Sequence, residues 1–191
     1  MEELLEQIRA CTVCKKHLPL GANPIVAANY FSKIIIIGQA PGRIVHTTGI
    51  PWNDKSGDNL RNWLDVDKET FYNPTIFALI PMGFCYPGTG KSGDLLPRPE
   101  CAPLWHEKLL QAMPNVKLIL LLGKTAQNYY LHTNTKKNLT TTVQQFESYL
   151  PKYFPLPHPS PTNNIWHAKN KWFSITVLPQ LKNKIAAIIK S

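Results

Sequence analysis

Lys33-Ile34-Ile35-Ile36-Ile37-Gly38 is the stretch that decides the fold. Four β-branched residues in a row give no polar face, so the segment reads as a strand buried on both sides, as in a parallel sheet. Two similar runs follow, Thr75-Ile76-Phe77-Ala78-Leu79-Ile80 and Val116-Lys117-Leu118-Ile119-Leu120-Leu121-Leu122-Gly123. Tyr153–Leu156 offers a short fourth strand. Helical spacing is expected between them, over about residues 2–10, 56–64, 100–111, 124–131 and 141–150, and again from about 167 to 190, where Pro179 starts a new helix or kinks the old one. Pro81 to Pro99 reads as a long loop. Strands alternating with helices predict a three-layer α/β/α sandwich around a short, mostly parallel four-stranded sheet. At 191 residues the chain is expected to form a single domain, 1–191.

Parallel sheets bind ligands beyond the carboxyl ends of their strands. The segments placed there are Gly38-Gln39-Ala40-Pro41-Gly42, the Gly/Pro loop and His158-Pro159-Ser160-Pro161. One rim therefore collects the unusual loops. Seventeen prolines, several of them in these loops, favour rigid irregular connections over a helical bundle.

Charge adds a partner. The chain is 43% hydrophobic and 17% charged, with a formal charge of +9. Residues 1–100 balance ten basic against ten acidic side chains, whereas residues 101–191 hold eleven basic and only Glu107 and Glu147. That asymmetry points to a polyanion. No apolar run approaches the roughly 18–20 residues that span a bilayer. The acidic start, Met1-Glu2-Glu3, is unlike a basic secretory leader. No repeat of 20–50 residues is visible.

The four cysteines are Cys11 and Cys14, a C-x2-C pair, and Cys85 and Cys101. Without a leader, disulfides are disfavoured. One close pair and two distant ligands suit a [4Fe–4S] cluster; zinc and unrelated core cysteines remain open on spacing alone. Met82, Phe84, Tyr86 and Trp105 would supply an apolar shell. Gly88-Thr89-Gly90-Lys91-Ser92 looks like a nucleotide phosphate loop, but Cys85 stands where its first glycine belongs, and Pro97 and Pro99 prevent a helix from following.

Gly38-Gln39-Ala40-Pro41-Gly42, then Thr48-Gly49-Ile50-Pro51-Trp52-Asn53-Asp54-Lys55-Ser56-Gly57, then His158-Pro159-Ser160-Pro161-Thr162-Asn163 together resemble the two active-site motifs of the uracil-DNA glycosylase superfamily. The first motif is similar to its iron–sulfur branches, families 4 and 5, and the second to the single-strand-selective monofunctional branch. The resemblance implies a monofunctional DNA glycosylase of base excision repair. Such an enzyme flips a damaged, uracil-like base from DNA and hydrolyses its N-glycosidic bond. It implies Asp54 and His158 as catalytic residues, with Gly38, Gln39, Ala40 and Trp52 holding the base. It also implies a [4Fe–4S] cluster on Cys11, Cys14, Cys85 and Cys101.

Ser160, Thr162, Asn163 and Ile165 are then expected at the DNA minor groove, with Ile165 or Trp166 as a wedge. Lys169, Lys171, Lys152 and Lys136-Lys137 are expected at phosphates. A monomeric, cytoplasmic, nucleoid-associated enzyme with no membrane partner follows from the same resemblance. The sequence departs from the family at several points, among them Trp52 for the usual phenylalanine and a Gly42–Thr48 spacing one residue shorter than in family 5. Gln39 stands for a family 4 glutamate, Ala40 for an asparagine, and Pro81 for an asparagine that reads the pyrimidine edge. These departures keep a non-catalytic damaged-DNA-binding protein as the alternative. A zinc-stabilised regulator is the third reading.

Overall fold

A computed structural model describes residues 1–91, 93–131 and 138–191 of the chain. Its centre is the isoleucine run. Strand β1 (Ile34–Ile37) is fully buried and pairs in parallel with β2 (Phe77–Leu79) on one side and β5 (Leu118–Leu122) on the other. Strand β6 (Tyr153–Leu156) extends the sheet beyond β5, giving the order β2-β1-β5-β6 with every pair parallel. This is the predicted four-stranded sheet with helices on both faces.

The two-residue period of a strand splits β1 between two cores. Ile35 and Ile37 face one core with Ile119 and Leu121, covered by α1 (Glu2–Arg9) and α5 (Cys101–Gln111). Ile34 and Ile36 face the other with Leu118, Leu120, Phe154 and Leu156, covered by α3 (Lys55–Leu64) and α9 (Leu178–Lys190). Each buried isoleucine contributes roughly 1.5–3 kcal/mol of transfer free energy, which is why a wholly apolar strand settles in the middle.

Several elements differ from the sequence expectation. Two short helices, α2 (Arg43–Thr48) and α4 (Lys68–Tyr72), occupy segments with no helical periodicity long enough to read. The loop between Pro81 and Pro99 contains a hairpin of β3 (Thr89–Gly90) and β4 (Gly93–Asp94), with β3 falling inside the rejected phosphate-loop sequence. After α6 (Gly123–Leu131), helix α7 (Leu139–Gln144) starts earlier than expected because Asn138 caps it, its Oδ1 accepting from the Thr141 N–H at 2.8 Å. It then tightens to a 3-10 turn, Phe146–Tyr149, ahead of Pro151, whose ring disfavours helix in the preceding residue.

The single C-terminal helix is broken into α8 (Asn164–Lys169), a π turn (Phe173–Val177) and α9. Asn170 causes the break. Its side-chain amide donates to the Trp166 carbonyl at 2.7 Å and its oxygen accepts from Trp172 Nε1 at 3.1 Å, competing with the helix ladder. Pro179 sits in the first turn of α9, as the sequence suggested.

Two buried polar residues fix the loops of the rim. Gln127 of α6 donates to the carbonyls of Leu121 at 3.3 Å and Leu156 at 2.8 Å, holding β5 and β6 together just before the second motif. His106 of α5 lies between Tyr130 Oη, 2.6 Å from Nδ1, and the Pro81 carbonyl, 3.1 Å from Nε2. The carbonyl can only accept, so Nε2 carries the proton and Nδ1 accepts from the tyrosine. Burial pushes the His106 pKa down from 6.5 to about 4. The unfolded chain therefore binds this proton first on acidification. Its stabilising contribution is complete above about pH 6.5 and is lost as pH falls toward 4, by up to roughly 3 kcal/mol. Urea titrations at pH 7 and pH 4.5 check this. His106→Gln, which has no such titration, should flatten the difference.

Candidate active site

The carboxyl ends of β1, β2 and β6 open on one pocket of about 530 Å³. It is lined by the first motif from Gly38 to Gly42 with Pro51, Trp52, Asp54 and Ser56. Pro81 after β2 also lines it, as do His158, Ser160, Thr162 and Asn163 after β6. Both motifs, more than a hundred residues apart in sequence, therefore form one cavity.

The first loop is stitched to the loop after β2: the Met82 and Gly83 N–H groups donate to the carbonyls of Gly38 and Gln39 at 2.9 and 3.0 Å. Among the described residues, the Gln39 and Ala40 N–H groups have no protein acceptor. Such donors at the rim of a pocket suit a carbonyl-bearing ligand.

Trp52 adopts a left-handed backbone, φ 58°. A non-glycine residue there costs of order 1–3 kcal/mol and persists only where its surroundings impose it. Here they do. A Cβ on Gly57 would lie 1.7 Å from the Trp52 carbonyl oxygen, and one on Gly38 would lie 2.6 Å from its indole Cζ2. Both glycines are therefore required by the close approach of Trp52. Arg61, buried in α3, donates to the same carbonyl at 3.4 Å. The indole lies over the end of β1 with its centroid 5.9 Å from that of His158.

His158 is the best-defined group. The Ser160 N–H donates to Nδ1 at 3.2 Å, which makes Nδ1 an acceptor and puts the proton of the neutral ring on Nε2. Burial lowers its pKa below 6.5, with nearby Asp54 opposing the shift. The ring is thus neutral at pH 7. Its loop is held by the Asn163 amide on the His158 carbonyl at 2.7 Å and by Asn59 of α3 on the Pro159 carbonyl at 2.9 Å. Gly123 packs beneath it.

Asp54 does two things. It is the N-cap of α3, with Oδ1 accepting from the Gly57 N–H at 2.9 Å, and it lines the pocket. Oδ2 has no protein donor among the described residues. Asp58, the neighbouring carboxylate, is paired with Arg61 at 2.6 Å.

The remaining expected residues separate. Ser160 caps the turn Pro161–Asn163 and bonds Thr162 at 2.8 Å, and Asn163 is committed to the His158 loop. Ile165 is 72% exposed at the start of α8. Trp166 is half-buried, its Nε1 donating to Thr140 at 2.9 Å and its ring edge-on against Trp172 and Phe173, which leaves Ile165 the more exposed of the two wedge candidates. Lys152, Lys169 and Lys171 are exposed, and Lys136 and Lys137 lie outside the described residues. Asp94, carried on the β3–β4 hairpin, lines the pocket, and sequence reasoning missed it. Only the glycines at 88, 90 and 93 hinted at a turn there.

Cys11, Cys14, Cys85 and Cys101 line a second, apolar cavity with Leu18, Phe84 and Trp105. Its space between atoms totals about 260 Å³, of which about 10 Å³ would take a water. Burial raises the thiol pKa of Cys14 and Cys85 and pushes Cys101 up to about 12, so these are not activated nucleophiles. Among the described residues, no three Cys, His, Asp or Glu side chains gather tightly enough to hold a metal ion. Trp105 also lines this cavity, and its buried Nε1 has no acceptor among the described residues.

No helix among the described residues is long and apolar enough to cross a membrane. The sequence profile of the Uracil DNA glycosylase superfamily matches residues 27–182, a span that holds both pocket loops; the chain belongs to that superfamily of DNA glycosylases.

Proposed function

We propose that the protein is a monofunctional glycosylase that removes a flipped, uracil-like base from DNA. The observation that carries this is the neutral His158, its Nδ1 fixed by the Ser160 N–H and its Nε2–H left for a ligand in the same pocket as Asp54 and Trp52. Trp52 stacks on the base, and the Gln39 and Ala40 N–H groups meet a base carbonyl. As the C1′–N bond breaks, its electron pair passes into the base. His158 Nε2–H stabilises the negative charge on the base oxygen. Asp54 faces the cationic sugar and accepts the proton of the water whose oxygen bonds to C1′. Ile165 fills the vacated stack, and Lys169 and Lys171 meet phosphates.

The four cysteines line one apolar cavity with Phe84 and Trp105, a thiol set and a shielding shell that would hold a [4Fe–4S] cluster. Trp105, which lines the cavity, has a buried Nε1 with no acceptor among the described residues and would be available to a group held there. Anaerobically purified protein is expected to be brown and to contain about four irons per chain. Cys85→Ser should lose that iron. One zinc per chain and no visible colour would overturn the assignment.

The alternative, damaged-DNA binding without base release, draws on Gln39, Ala40 and Pro81, each of which replaces a polar group. Oligonucleotides carrying uracil, hypoxanthine or xanthine separate the two readings. Free base in the supernatant supports catalysis, and lesion-selective retention with the base still attached supports binding alone.

A further inference from the structure

Beside the base pocket lies a groove of about 610 Å³ that neither active-site motif lines. One wall is the turn after the C-x2-C pair, with Lys16, His17 and Leu18; the opposite wall is the segment after Cys85, with Tyr86. Arg43, the first residue of α2, also lines it, and Leu95 is shared with the base pocket. The ionisable side chains that line it are Lys16, His17, Arg43 and Tyr86, with no carboxylate among them. Neither Lys16 nor Arg43 has an ionic partner among the described residues. A neighbouring carboxylate, Asp94, accepts from the groove-lining Thr89 at 3.3 Å and lines the base pocket, so the unpaired Lys16 and Arg43 leave the groove attractive to a polyanion.

Continuity identifies which one. Arg43 directly follows Gly42, which lines the base pocket, and Leu95 belongs to both cavities. A phosphodiester chain leading to a nucleotide in the pocket would pass over this groove. Lys16 and Arg43 would meet its phosphates, and the half-exposed Leu95 its sugar and base edges.

We infer that this groove is a strand-binding subsite for the phosphodiester backbone flanking the flipped nucleotide. The inference rests on the glycosylase reading of the adjoining pocket. It adds a phosphate contact from the charge-balanced half of the chain to those proposed at Lys169 and Lys171. It also gives the cysteine cavity a role in recognition. Leu18 lines both that cavity and the groove, and the groove's two walls follow directly from Cys14 and Cys85.

The test uses a lesion-free single-stranded 16-mer and the full chain. Affinity is measured against salt for the wild type, for Lys16→Gln/Arg43→Gln, and for Lys68→Gln/Lys190→Gln as an equal-charge control outside the groove. All four side chains are exposed, so folding should persist, and thermal unfolding verifies it. The groove variant should bind several-fold more weakly, and its salt slope should flatten by about 0.7 for each phosphate it no longer neutralises. The control should keep the wild-type slope.

An unchanged slope in the groove variant, or an equal loss in the control, would overturn the inference whether or not the protein releases bases. A flattened slope in a protein that releases no base would leave the subsite standing and remove the glycosylase reading instead.

Discussion

His158→Ala is expected to lower the single-turnover rate of base release about 10²–10³-fold, the usual effect of deleting one preorganised donor to a developing oxyanion. The effect should be large because the loop holds the ring before the base arrives. Ser160 fixes the tautomer at 3.2 Å, and Asn163 and Asn59 pin the flanking carbonyls. His158→Gln restores a donor on a different stem and should recover part of the loss. Thermal stability should change little in the glutamine variant, which separates chemistry from folding. Burial holds the imidazole pKa below its ordinary value, so the rate should stay level as pH falls through 6.5. It should decline only at lower pH, where protonation of Nδ1 breaks the bond from Ser160. A rate that falls with an ordinary histidine titration would contradict the buried neutral ring.

The second large effect is at Asp54, where the structure joins two roles that substitution can separate. Asparagine caps a helix about as well as aspartate, whereas alanine forfeits about 1 kcal/mol. Asp54→Asn should therefore preserve stability while losing about 10²-fold in base release, because the charge facing the sugar is gone. Asp54→Ala should lose the same rate and also melt several degrees lower, since the Gly57 N–H bond at 2.9 Å is removed. A full rate in both variants would reduce Asp54 to a helix cap. The aspartate of the β3–β4 hairpin, Asp94, would then become the carboxylate to examine, because it lines the same pocket.

How far this arrangement can be read in sequence depends on the range of the interaction. Burial on both faces is written into β1 residue by residue, so the sheet was legible from Ile34–Ile37 and its counterparts. The rim was legible for the same reason, since parallel strands all end on one side. The hairpin that delivers Asp94 was not. Its strands are two residues each and carry no periodicity. Trp52's left-handed backbone was equally hidden, because it depends on Gly38 and Gly57 yielding space and on Arg61 reaching its carbonyl. The tautomer of His158 comes from a backbone N–H two residues on, an interaction that only the folded turn creates. The break before α9 was visible only as an asparagine, whose preference for the backbone competes with helix in ways composition does not rank.

Charge followed a similar course. The surplus in residues 101–191 suggested that the phosphates would be met there. Folding brings Lys16 and Arg43, from the balanced half, into a groove beside the pocket that no carboxylate lines. Local excess of charge is a property of the folded surface, and sequence halves only approximate it.

The central claim is that the pocket between the two motifs breaks an N-glycosidic bond. The most direct measurement is release of free base, with one abasic site formed per base released, from oligonucleotides bearing uracil, hypoxanthine or xanthine. It should use protein whose iron content has been verified. At least one substrate is expected to yield base and abasic site in equal amounts, with the rate collapsing in His158→Ala. No release from any of them by intact, DNA-binding protein would contradict the account.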